Sequence, residues 1–518
     1  MPSPHRGAIA AGHPKTVAAG LEMFRSGGNA FDAAIAAMLA SWVAEPALTS
    51  AGGGGFCLAH TQAGDNVLFD FFTQTPRQKR PAGKSNFYPV LVDFGGVQQE
   101  FHVGLGSMAV PGSLDGAFCI HQRFGSLPFR VVAEPAIRYA KQGVEVNEFQ
   151  QYVFTILQPI LTACPEMRRV YAPSGELLQV GDRLFMKEFA ATLEYWVAEG
   201  PQVFYRGDMA QKLVADCRDR GGHLALADLQ HYRTIERKPL SVRYRGRTLL
   251  TNPTPSFGGT LIAFSLKLLE RIDLQAVELG SQQHVKILTD IMRATNLARN
   301  ERLDGQIYRQ AIADEFLACE SLEQYAASLG TGGSKWGSTT HISAIDRDGN
   351  AASITASNGE GSSYAIPGTG VMLNNMLGED DLNPHGFHQW QSDVRLSSMM
   401  APTMVLEGGK PSIVLGSGGS KRIRTAIVQV LSNLLDFGLP VTDAVAAPRL
   451  HWNEGVLNIE PGFQSLDINE LAIASDETLV QWPQQNMFFG GVHTIARDAN
   501  GQFVGSGDRR RSGVAAWL

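Results

Sequence analysis

The sequence predicts a mixed α and β protein built in stacked layers, either an α/β sandwich or an αββα arrangement. Three observations carry this prediction. An apolar run at 33–44 leads through EPALTSAGGGGFCLAH into a glycine-rich turn and a strand. Strand-like segments crowd the chain after residue 338, with helices interposed. No internal repeat and no long low-complexity linker interrupts the 518 residues.

The elements follow in order. GGNAFDAAIAAMLASWVAEP reads as a helix between glycines and Glu45-Pro46. Its apolar stretch is too short to span a bilayer, so a buried helix is expected. Pro111-Gly112 marks a turn before a further helix, and 129–142 and 186–199 have amphipathic spacing. TNPTPSFGGT is a Pro/Gly loop ahead of the helix LIAFSLKLLERI. The glycine-rich segment 330–338 is the best internal boundary. Beyond it HISAID, AASIT, GVMLNN, TMVL, PSIVLG, GVHTIARD and QFVGSGD read as strands, and RIRTAIVQVLSNLLDFG and PVTDAVAAPRL as helices.

Composition narrows the function. A net charge of −6, with no basic run before Arg509-Arg510-Arg511, argues against a nucleic-acid partner. Five scattered cysteines form no C-x-x-C, so neither a disulfide framework nor a cysteine zinc site is expected. The first twenty residues lack the apolar region of a signal peptide, and a soluble cytoplasmic protein without membrane contact is expected.

One hairpin stands out in GSTTHISAIDRDGNAASITASNG, residues 337–359. Arg347-Asp348-Gly349 suits a three-residue loop with glycine in the left-handed position. Asp346 then pairs with Asn350, His341 with Thr355, and Thr339 with Ser357. Hydroxyls therefore face each other at the open end, close enough to interact.

The segment T-T-H-x-S-x-x-D-x-D-G-N-A resembles the nucleophile segment of the gamma-glutamyltransferase (gamma-glutamyltranspeptidase) family. Other blocks resemble that family in the same order along nearly the whole chain: GGNAFDAAIAA, EPALTSAGGGGF, VPGSLDGAF, EPAIRYAKQG, PTPSFGGT, LSSMMAPT, GSGGSKRI, APRLHW and GDRRRSGVA. The resemblance implies a four-layer αββα sandwich of the N-terminal nucleophile (Ntn) hydrolase type, α+β in class. It implies a single chain that cuts itself at Ser338–Thr339 into a large subunit, 1–338, and a small one, 339–518, which stay intertwined. Thr339 would then be both nucleophile and new N-terminus, its own α-amino group serving as base. Gly332, Gly333 and Gly337 would free the backbone before the cut.

The family's other roles are implied position by position. Ser357 matches the hydroxyl partner of the nucleophile. Gly418 and Gly419 match the pair whose amides form the oxyanion hole. Ser397 and Ser398 match the pair that binds the substrate carboxylate. Glu379, Asp380 or Asp381 could hold a substrate ammonium. The family asparagine beyond the hydroxyl partner falls on Gly359, with Asn358 adjacent. Two further departures concern substrate. Phe72 stands where the family carries an arginine that clamps the α-carboxylate, and Met376 replaces a glutamine. Losing a bidentate cation is not conservative, although Arg395 or Lys421 could take its place.

The function expected is therefore a self-cleaving amidohydrolase or acyltransferase acting through an acyl-enzyme at Thr339. A small γ-glutamyl amide such as glutathione is the first donor to consider, with hydrolysis favoured over transpeptidation. A cephalosporin- or glutaryl-acylase-like enzyme is the alternative, and an uncut binding protein the rival from another class. His385 and His388 match no strong metal pattern, so no metal or cofactor is expected. Phe71, Phe72, Phe87 and Tyr88 could line a pocket or simply pack.

Overall fold

A computed structural model describes residues 6–93, 98–318, 322, 325, 339–383, 385–463, 466, 477–498 and 500–518. Two sheets face each other at its centre. The first has seven strands in the order Val514–Trp517, Gly7–Ala11, Thr340–Asp346, Ala351–Ser357, Gly54–His60, Asn66–Asp70, Ile235–Arg237. The second has six, in the order Phe503–Ser506, Gly491–Arg497, Lys410–Gly418, Thr403–Glu407, Arg247–Thr251, Leu240–Tyr244. Helices Pro14–Arg25 and Ala30–Ala44 cover the first sheet, and Phe257–Leu269 and Arg422–Leu435 the second. The layering is αββα.

Period-two alternation explains how the sheets stack. Ile342, Ala344, Ala352 and Ile354 point into the core shared with the first pair of helices. His341, Ser343, Ser353 and Thr355 face the other sheet. His341 Nδ1 lies 2.8 Å from Thr355 Oγ1 and its Nε2 lies 2.9 Å from Ser343 Oγ. Ser343 and Ser353 donate across the interface to the carbonyls of His493 and Leu415, each at 3.0 Å. The imidazole fits because Gly416 opposite it has no side chain: a methyl there would sit 2.3 Å from His341 Cε1.

Helix Ala30–Ala44 is buried on every side, as its uniform alanine-rich surface requires. Asn29 and Asp32 cap its start reciprocally. Asp346, from the hairpin turn, accepts from Ala30 N at 3.0 Å, and also from Asp348 N and Asn350 N. One buried carboxylate thus ties the turn of the hairpin to the start of this helix.

The expected helices and most of the strands occur. GVMLNN is a correction: only Val371–Met372 pairs as strand, against Ala365–Ile366 in a separate two-stranded sheet, because Asn374 instead turns its side chain to the carbonyls of Gly52 and Ala109. Among the described residues no helix is long and apolar enough to cross a membrane.

Candidate active site

The register of the hairpin positions the site. Thr340 pairs with Ala356 and His341 with Thr355, so the next pair outward is Thr339 with Ser357. Gly349, at φ +97°, makes the turn, and Asp346 N donates to Asn350 O at 2.9 Å. Thr339 and Ser357 are both buried and line one small cavity. Ser357 Oγ accepts from Gly359 N at 3.0 Å, which places Gly359 at the mouth of the hairpin.

Gly418 ends its strand against the Thr339 peptide group. A methyl on Gly418 would lie 2.1 Å from the Thr339 carbonyl oxygen, so only glycine allows this approach. Gly419 follows at φ +121°, a conformation that L side chains rarely adopt. The same carbonyl accepts from Arg511 Nη1 at 3.1 Å, and Arg511 Nη2 donates to Met487 O at 3.2 Å. Burial pulls the Arg511 guanidinium down to about 10. Below Thr339, Thr340 Oγ1 donates to Glu45 Oε2 at 2.6 Å, and Thr16 Oγ1 donates to Glu45 Oε1 at 2.7 Å. Burial pushes the Glu45 carboxyl up. Arg511 thus braces Thr339 itself, and Glu45 its neighbour Thr340. In the sequence Glu45 reads as a helix flank, and Arg511 as part of the basic run 509–511 and of the block GDRRRSGVA.

Phe72, Met376, Leu382, Met399, Met400 and Ile423 form the apolar part of the cavity wall, and Glu379, Asp381, Ser398 and Ser420 the polar part. Burial, with Glu360 and Asp381 nearby, pushes the Glu379 carboxyl well above its usual range. Asp381 accepts from Ser420 Oγ and lies 3.3 Å from Lys421 Nζ. Ser398 Oγ accepts from Met400 N at 3.0 Å.

The remaining expected residues lie apart. Ser397 lines a neighbouring cavity rather than this one. Asp380 is exposed. Asn358 is fully buried, with Oδ1 accepting from Ser50 Oγ at 2.9 Å, and does not line the cavity. Ser338, Gly332, Gly333 and Gly337 lie outside the described residues. His388 packs on Phe87 at 4.5 Å between ring centres, and His385 lines the neighbouring cavity.

Among the described residues, no Lys or Arg lines the Thr339 cavity. Phe72 stacks on Phe56 at 5.4 Å between ring centres. Arg395, one possible substitute, is spent within the scaffold. Its Nη1 donates to Phe72 O at 2.5 Å, its Nη2 to Arg233 O at 2.6 Å, and its Nε lies 3.4 Å from Asp70. Lys421, the other, lies between Asp381 and Glu454.

Two facing sheets between helix layers are the architecture of the Ntn hydrolases. The model of the family "Gamma-glutamyltranspeptidase" matches residues 16–518. Acylase ACY 1 proenzyme of Pseudomonas sp. (strain V22) is 32% identical over 98% of this chain and 93% of its own length. Glutathione hydrolase proenzyme of Escherichia coli (strain K12) is 28% identical over 98% of this chain and 90% of its own. Cephalosporin acylase from Bacillus halodurans shares the fold, with a TM-score of 0.86 at 24% identity over 100% of this chain and 98% of that one. The Helicobacter pylori gamma-glutamyltranspeptidase structure matches with a TM-score of 0.54 at 26% identity, over 61% of this chain and 90% of that one. The chain belongs to the gamma-glutamyltranspeptidase family and is an Ntn hydrolase of that family.

Proposed function

We propose that the chain cuts itself between Ser338 and Thr339 and then hydrolyses a small amide through an acyl-enzyme on Thr339. The observation that carries this reading is the pairing of Thr339 with Ser357 in one cavity, against a strand end where only glycine fits. Before the cut, the Thr339 hydroxyl attacks the Ser338 carbonyl, the peptide bond becomes an ester, and water resolves it. After the cut, the freed α-amino group, with an ordinary pKa of about 8, takes the hydroxyl proton. The hydroxyl oxygen attacks the substrate carbonyl, and the Gly418 and Gly419 amides are the donors assigned to the developing oxyanion. The amine leaves with the proton, and water then releases the acid. Arg511 and Glu45 hold the Thr339 backbone and its neighbour while this happens.

The products 1–338 and 339–518 remain one body in this reading. Each central sheet takes strands from both parts, and Gly7–Ala11 lies between Thr340–Asp346 and Val514–Trp517. The relatives named proenzymes support the cut. A γ-glutamyl compound is the donor that the glutathione hydrolase relatives suggest first, with water as the acceptor. A second reading, an acylase on an amide without a free α-carboxylate, is favoured by Phe72 and by the engagement of Arg395 elsewhere. Brief mixing with an acyl 4-nitroanilide, acid quench and mass analysis should find the acyl group on the peptide that begins at Thr339. An adduct on any other residue would overturn the assignment.

A further inference from the structure

Phe72 supplies the one aromatic ring among the described residues that line the Thr339 cavity. Its peptide is held at both ends by a single polar cluster. Phe72 N donates to Asp70 Oδ1 at 3.0 Å. Phe72 O accepts twice, from Tyr232 Oη at 2.7 Å and from Arg395 Nη1 at 2.5 Å. Both lone pairs of this carbonyl are therefore taken, one of them by a charged donor, which makes the stronger bond.

The cluster is itself held in place. Asp70 is fully buried, accepts from Arg237 Nε at 2.8 Å, and has Arg395 Nε 3.4 Å from its Oδ1. The Arg395 guanidinium lies 4.6 Å from the centre of the Tyr232 ring, and that ring stacks on Tyr205 at 5.9 Å. The Tyr232 hydroxyl reaches the Phe72 carbonyl beside Gly112, where a methyl would stand 1.9 Å from the hydroxyl oxygen. The Pro111-Gly112 turn thus leaves the space that this hydroxyl uses. Arg395 also belongs to the second segment of the wall. Leu396 N donates to Thr73 O at 3.0 Å, and Ser398, Met399 and Met400 line the same cavity as Phe72.

A side chain in such a wall limits what enters only if it cannot yield. The Phe72 ring is wholly buried and stacks on Phe56 at 5.4 Å, so its place follows from the peptide that carries it. We infer that Tyr232 and Arg395 are positioning residues for substrate choice: they pin the Phe72 peptide, and so make its ring a rigid limit on the size of the group that the Thr339 cavity admits. This rests on the reading of Thr339 as nucleophile and deepens it.

The test uses the full chain and two substrate pairs. Phenylacetyl against acetyl 4-nitroanilide varies the acyl group, and acetyl 4-nitro-1-naphthylamide against acetyl 4-nitroanilide varies the amine. The readout is the kcat/KM ratio of bulky to small substrate. Tyr232→Phe removes one donor to the Phe72 carbonyl and should raise that ratio about fivefold in one of the pairs, which tells whether the ring limits the acyl or the amine side. In a Phe72→Ala background the same change should alter the ratio less than about twofold, because the clamp then has no ring to hold. A merely structural role would lower kcat/KM for bulky and small substrates alike. Should Tyr232→Phe fail to fold, Arg395→Lys keeps a cation beside Asp70 and loses the fork. It should shift the ratio in the same direction and likewise lose its effect with Phe72→Ala. A cut, active variant with both ratios unchanged, or a shift that persists in Phe72→Ala, would overturn the clamp. A wild type that is cut but turns over none of these amides would overturn it alone. An uncut wild type without turnover would overturn it together with the Thr339 reading.

Discussion

The two walls of the Thr339 cavity are made of different material. One is backbone and small side chains: Thr339, Ser357 and, behind them, Gly418, all fixed by sheet register. The other is bulky side chains hung on connecting segments: Phe72, Met376, Met399 and Met400. By the resemblance read from the sequence, the first wall is expected to keep the family's nucleophile, hydroxyl and glycine pattern, and the second to depart from it at Phe72 and Met376. The difference teaches where such a site can change. Register and close backbone approach fail together if any part moves, whereas a loop side chain can be exchanged without disturbing the attacking group.

The largest expected effect breaks the first wall. Thr339→Ala should abolish both the cut and turnover, with loss of more than about a thousandfold in kcat, checked by gel and anilide assay. Gly418→Ala should come next. Its added methyl would stand 2.1 Å from the Thr339 carbonyl oxygen, and losing an oxyanion donor's alignment costs about 10²–10³ in kcat. A purified Gly418→Ala protein with near wild-type kcat would remove that glycine from the account.

A change in the second wall should be smaller and confined to choice of substrate. Phe72→Arg should raise the kcat/KM preference for γ-glutamyl over 4-aminobutyryl anilide, which lacks the carboxylate, about tenfold. An unchanged ratio would mean that the carboxylate is not read at position 72.

The smallest effect concerns the layer beneath the reaction wall. Burial holds the His493 imidazole down at about 4, below its ordinary 6.5. The unfolded chain therefore takes up a proton first as pH falls. The stability this gives is complete above pH 6.5 and is lost progressively down to about 4. The slope from this group alone is at most about 1.4 kcal/mol per pH unit. Denaturant titrations of wild type and His493→Gln between pH 7 and 4.5 would show it as a shallower acid slope in the variant.

Much of this was legible in the chain. The D-x-D-G-N turn set the hairpin register, and the register put Thr339 opposite Ser357. The helix 129–142 falls on the residues that its spacing indicates. The N-terminal strand Gly7–Ala11 was not legible, because four small residues around a single Ile9 show no polar alternation and their partners are Thr340–Asp346 and the C-terminal strand. Glu45 and Arg511 were missed as braces for the same reason: each acts on Thr339 or Thr340 from far along the chain. The fate of Arg395 was equally hidden, since nothing local announces that Asp70 and the Phe72 carbonyl occupy it.

The central claim is that Thr339 becomes a chain terminus. The most direct measurement is the intact mass of the purified protein with N-terminal sequencing of its fragments, beside Thr339→Ala. The account predicts two chains in the wild type, the smaller beginning Thr-Thr-His-Ile-Ser, and one chain in the variant. A wild type that stays whole after prolonged incubation, or is cut at another bond, would contradict it.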